Sequence, residues 1–178
     1  MVLIMARSLG NIYKPLWFSS EISVSLDYIE DELEHNATNM SPPYQRGDVW
    51  TLEQRERFMG HLLQGGEVQP IVFHRTPDQR DAEVIDGKQR LTSIRMWLND
   101  EIGARFDDGS LVKISELEQA APRRGKFRPK GISRINVRFR YIDLPFEQRK
   151  LFYVRLNSAG TPHTPEQLRA ALEAKEVK

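Results

Sequence analysis

Pro70 to Ile102 reads PIVFHRTPDQRDAEVIDGKQRLTSIRMWLNDEI. The apolar run Ile71-Val72-Phe73 after a proline predicts a short buried strand, and Ala82 to Asp86 predicts its neighbour across a polar turn around Pro77-Asp78. From Gly87 onward the period changes. Leu91, Ile94, Trp97 or Leu98, and Ile102 recur at helical spacing, so Asp86-Gly87-Lys88-Gln89-Arg90 falls at a strand-to-helix junction. A turn of this kind aims free backbone N–H groups and the positive end of the helix dipole at one spot, which makes an anion site. Lys88 and Arg90 add positive charge, Gln89 adds an amide, and Asp86 adds a carboxylate able to hold Mg²⁺ or orient a water. The plainer reading is that Asp86 caps the helix and the cations are solvated.

Upstream, Ile22, Leu26, Ile29 and Leu33 among acidic residues predict an amphipathic helix from Ser20 to about His35. Pro42 and Pro43 then force an extended path that delivers Tyr44, Gln45 and Arg46 on a strand or loop. Thr51 and Gln54 form a capping box for a second helix, which Gly65-Gly66 ends. Downstream, residues 122–134 hold six basic and no acidic groups with two prolines and two glycines, a composition that favours an exposed loop over any regular element. Ile135, Val137, Phe139 and Tyr141 alternate with polar residues as a half-buried strand. Two helices close the chain, one from Pro145 through Leu156 and one capped by Thr164 with Pro165 and Gln167.

With 178 residues, 39% hydrophobic and 29% charged, the chain reads as a single domain with a genuine core, flanked by an N-terminal arm over 1–19. It contains no cysteine, which excludes disulfides, thiolate zinc sites, iron–sulfur clusters and thiol nucleophiles. The apolar opening from Val2 to Met5 is far shorter than a signal-peptide core or the roughly 20 residues that span a bilayer, so a cytoplasmic protein with no membrane partner is expected. Net charge is +1, but residues 1–120 carry 12 basic and 20 acidic groups, a balance of −8, whereas 121–178 carry 14 and 5, a balance of +9. Either a basic face meets a polyanion such as DNA, or the two segments neutralise each other within the fold.

Two further clusters accompany the junction. Tyr44-Gln45-Arg46 offers a ring for a base, an amide for its edge and a guanidinium for phosphate; alternatively the tyrosine is buried and the arginine pairs with an acid. Trp50 reads as core, as a base platform or as a surface for Arg46. Arg155-Leu156-Asn157-Ser158-Ala159-Gly160-Thr161 ends a helix in small polar residues that either face a neighbouring site or simply form a C-cap. His35, His61, His74 and His163 lack metal-ligand spacing. No Walker loop, GxSxG or His/Asn/His nuclease cluster is present.

In order, Pro43-Tyr44-Gln45-Arg46 with Val49-Trp50, Leu62-Leu63 with Gly65, Pro70-Ile71-Val72, Asp86-Gly87-Lys88-Gln89-Arg90, and Arg155-Leu156-Asn157 with Gly160-Thr161 form one pattern. It resembles the N-terminal domain of GmrSD- and SspE-type modification-dependent restriction proteins, within the ParB/sulfiredoxin-like superfamily, over about residues 20–173. The resemblance implies an α+β domain with a small mixed β-sheet flanked by several helices. It also implies a DGQQR-type motif that binds and helps hydrolyse a nucleoside triphosphate, coupled to cleaving or sensing DNA. Asp86, Gly87, Gln89 and Arg90 match that motif, and Lys88 departs from it where the family carries a glutamine. Tyr44, Gln45, Arg46 and Asn157 are expected to face the same nucleotide. Sulfiredoxin chemistry is excluded, because it needs a catalytic cysteine.

The expected activity is therefore Mg²⁺-dependent nucleoside triphosphate hydrolysis linked to DNA, with Asp86, Gln89, Arg90 and Arg46 as catalytic groups and Asp86 as metal ligand. Arg123, Arg124, Lys126, Arg128, Lys130 and Arg134 are the expected DNA contacts. GmrSD-type proteins append a nuclease module, so a nuclease or other protein partner is implied, and self-association stays open. The second reading is a non-catalytic DNA-binding or partner-binding adaptor that uses residues 122–140. Direct DNA cleavage ranks third, since Glu83 lies three residues from Asp86 and on the opposite strand face by parity.

Overall fold

The computed structural model describes residues 19–45, 47–76, 81–121, 130–158 and 164–175. Its centre is a four-stranded sheet in the order β1 (Ser19–Ser25), β6 (Asn136–Ile142), β2 (Ile71–His74), β3 (Glu83–Asp86). β6 pairs antiparallel with β1 and parallel with β2, and β2 pairs antiparallel with β3, so the sheet is mixed. Around it lie α1 (Ile29–His35), α2 (Leu52–Leu63), α3 (Lys88–Leu98), α4 (Ile114–Ala120), α5 (Lys130–Ser133), α6 (Phe146–Ser158) and α7 (Pro165–Glu173). A hairpin of β4 (Ala104–Arg105) and β5 (Leu111–Val112) stands apart from the main sheet. This is the α+β architecture expected.

Strand alternation sends successive side chains to opposite faces, and here both faces are covered. Ile71, Phe73, Val84, Val137 and Phe139 enter one core with Leu91, Ile94 and Trp97 from α3. Val72, Ile85 and Ile142 enter a second core with Leu144, Phe146, Tyr153 and Ala171. All four β2 residues are accordingly buried, which is why that strand reads as an unbroken apolar run. Phe73 packs on Phe139 at 4.8 Å and on Tyr141 at 5.3 Å. Burying Phe73 and Phe139 completely contributes about 2–3 kcal/mol each.

The helix expected over 20–35 is corrected in its first half. Ser19–Ser25 is strand, a 3₁₀ turn covers Leu26–Tyr28, and the α-helix begins only at Ile29. The reason is tertiary: β6 offers an edge on which Ile22 faces Phe139 and Val24 faces Val137, and a serine-rich, β-branched sequence has little helix propensity to set against that pairing. Ile102 is likewise outside α3, which stops at Leu98 before Asp100 adopts φ 62°, although Ile102 is buried. The segment 122–134 is not wholly irregular, because Lys130–Ser133 forms one helical turn that buries Ile132. Residues 122–129 and 1–18 of the expected arm lie outside the described residues. Among the described residues no helix is long and apolar enough to cross a membrane.

Candidate functional site

β3 ends at Asp86 and α3 starts at Lys88, with Gly87 between them at φ 92°. A side chain there would be strained by the left-handed backbone, and its Cβ would sit 3.1 Å from both Arg90 Nη2 and Ile71. No side chain caps α3, so Asp86 does not play the capping role that the plainer reading gave it. Instead Arg90 Nη2 pairs with Asp86 Oδ2 at 2.7 Å while Arg90 Nη1 donates to the Gln69 carbonyl. Arg90 keeps only 15% of its side-chain surface, so it is no solvated cation. Lys88 Nζ donates to Ser41 Oγ at 3.0 Å on the rim.

These groups line a cleft of about 400 Å³. Trp50 and Phe58 form one wall, their rings edge to face at 5.4 Å, and Tyr153 and Leu156 of α6 contribute another. Gln45 lines the floor, donating Nε2 to the Val84 and Ile85 carbonyls at 2.5 and 2.8 Å. Its Oε1 is buried and has no hydrogen-bond partner among the described residues. His61 stands at the edge, its Nε2 against the Glu67 carbonyl at 3.1 Å.

Tyr44 lies beneath the cleft rather than in its lining. It is 2% exposed, packs between Phe146 and Tyr153, and donates its hydroxyl to Glu83. Burial and the Glu83 carboxylate push that hydroxyl's pKa upward, so it stays a donor. Arg149 pairs with the same carboxylate at 3.1 Å. Glu83 is thus engaged by Tyr44 and Arg149. Among the described residues no group of three or more metal-ligating side chains occurs. Asp86, a quarter exposed and with Oδ2 held by Arg90, suits the mode in which Mg²⁺ takes one protein carboxylate and completes its shell with phosphate oxygens and water.

Gln89 lines the cleft, yet its amide is directed at the chain over Gly47–Trp50. Arg55, not singled out from sequence as a site residue, sits 4% exposed beneath the same segment. Its signal was present: a charged residue in the buried stripe of α2. Arg46 lies outside the described residues, as do Arg123, Arg124, Lys126 and Arg128 and the side chains of Lys130 and Asn157. Arg134 is exposed on the turn into β6.

An α+β domain with a strand–glycine–helix cleft, cationic at one pole and aromatic at the other, is the class that fold and site define. The family described as "GmrSD restriction endonuclease, N-terminal domain" matches residues 29–172. The chain belongs to that family, which ties it to restriction-type DNA processing. No curated protein and no solved structure matches the chain.

Proposed function

We propose that the cleft binds a nucleoside triphosphate and hydrolyses it with Mg²⁺, in the service of restriction-type DNA processing. The observation that carries this reading is the uncapped first turn of α3 behind Gly87, flanked by Lys88 and Arg90 and opening into a cleft of nucleotide size. In this reading the backbone N–H groups, Lys88 and Arg90 hold the phosphates, and Arg46 stabilises charge on the transferred group. Asp86 would hold the metal or the attacking water, and the metal would supply neutralisation of the phosphate charge. The Trp50–Phe58 wall suits the base, and the orphaned Gln45 Oε1 suits a ribose hydroxyl or base amine. DNA, and a nuclease or other protein partner, act through surfaces outside this cleft.

Phosphate release from each of the four ribonucleoside triphosphates, with and without Mg²⁺ and duplex DNA, tests the proposal. Lys88→Ala removes a rim contact without touching the Asp86–Arg90 tie, so it should cut turnover about 100-fold with an unchanged melting curve. Asp86→Asn should abolish the Mg²⁺-dependent turnover. A parent that turns over no nucleotide sinks the enzymatic reading and shifts the weight to a DNA-binding adaptor, which the six cations of residues 122–134 favour.

A further inference from the structure

The carboxamide of Gln89 is consumed by one segment of chain. Its Oε1 accepts from the backbone N–H of Trp50 at 3.3 Å, that of Val49 at 3.4 Å and Arg55 Nη2 at 3.1 Å. Its Nε2 donates to the Gly47 carbonyl at 3.3 Å. Arg55 reinforces the same junction from below, pairing with Asp48 at 2.6 Å and donating to Ser93 Oγ at 3.3 Å. Ser93 Oγ in turn donates to the Gln89 carbonyl at 2.7 Å, tying the first turn of α3 to the same network. An amide has one oxygen and two N–H donors; here the oxygen already takes three donors and one N–H is engaged with Gly47, so the acceptor end that would orient a water is committed to the chain.

We propose that Gln89 is a positioning residue: it latches the Gly47–Trp50 segment onto α3, with Arg55 and Asp48 completing the latch, and so holds the Trp50 wall in place for the nucleoside half of the ligand. The consequence for the ligand rests on the nucleotide reading above; the latch itself does not. The bonds to Val49, Trp50 and Gly47 are near the long end of the normal range, individually weak and mutually dependent, so losing the shared amide releases all of them together.

Two measurements on the full chain, amide hydrogen exchange and calorimetry, decide the matter. Amide hydrogen exchange at Val49 and Trp50 in Gln89→Ala should accelerate about ten-fold or more while Met59 and Leu62 in α2 keep parental protection. Gln89→Glu should restore protection at Val49 and Trp50 in part, because a carboxylate still accepts from both amides and from Arg55 but cannot donate to Gly47, whereas a phosphate-binding role for the side chain would be ruined by the same charge. Calorimetry with tripolyphosphate, a probe without a base, should give Gln89→Ala an affinity within about two-fold of the parent, while each nucleotide that binds the parent loses about ten-fold, the worth of one base–ring stack. Asp48→Asn, a change at a side chain 55% exposed, opens the Arg55 end and should speed exchange in the same direction, so the latch is testable even if Gln89→Ala does not fold. Unchanged exchange at Val49 and Trp50, or lost tripolyphosphate binding with exchange intact, overturns the proposal. A parent that binds neither tripolyphosphate nor nucleotide removes the nucleotide reading alone, and exchange still decides the latch.

Discussion

At Gly87 the absence of a Cβ lets a buried strand turn directly into a helix, and the string from Val84 to Arg90 announces this without any partner in view. The destination of each side chain is another matter. Gln89 and Arg90 reach residues 21 to 42 positions away, and nothing local in the sequence encodes those partners. His74 shows how such a long-range tie becomes measurable. Its Nδ1 accepts from the Leu144 N–H at 3.2 Å, so the ring must be neutral there, and burial together with the nearby Arg149 holds its pKa below the ordinary 6.5. The unfolded imidazole therefore takes up a proton first, and stability falls as pH drops through about 6.5 toward the lower folded value. Urea unfolding from about pH 7.5 to about pH 5.5 should show that loss, and His74→Asn, which keeps an acceptor but does not titrate, should show a shallower one. Equal slopes in the two proteins would remove His74 from the account.

Elements were legible where local signals agreed and illegible where a partner overruled them. The capping boxes of Thr51 with Gln54 and of Thr164 with Gln167 form as their spacing predicts. The stretch from Ser19 to Ser25 satisfies two periods at once, and the open flank of β6 chose between them. β4 and β5 are two residues each, too short to leave a period, and no signal singled them out. What fixes that hairpin is a gap in α2: a Cβ built on Gly60 would lie 1.8 Å from the Arg105 carbonyl oxygen, so helix and strand approach backbone to backbone. Arg105 also pairs with the buried Glu56 at 2.6 Å. Gly60→Ala should therefore cost about 3 kcal/mol, through overpacking that outweighs the better helix propensity of alanine. A urea midpoint shift worth less than about 1 kcal/mol would mean that the hairpin yields instead.

On the scale of the molecule, part of the opposition between the acidic and basic segments is met internally. Arg140 pairs with Glu21 at 2.8 Å, and Arg138 lies 3.6 Å from both Glu21 and Glu67. Arg149 answers Glu83. These pairs occupy cations of β6 and α6, whereas Arg123, Arg124, Lys126 and Arg128 belong to the run free of acidic neighbours in sequence. Changing those four to alanine should weaken duplex DNA binding and lower the slope of log affinity against log salt by about 0.9 for every phosphate that is no longer neutralised. A slope that does not move would place DNA on another surface. The order of the sheet carries a consequence for how the chain comes off the ribosome. β6 separates β1 from β2, so the first strand and the β2–β3 hairpin have no common neighbour until residues 136–142 have been made. During synthesis the strand that leads into Gly87 waits, and the cleft gains its support from a segment translated about fifty residues later.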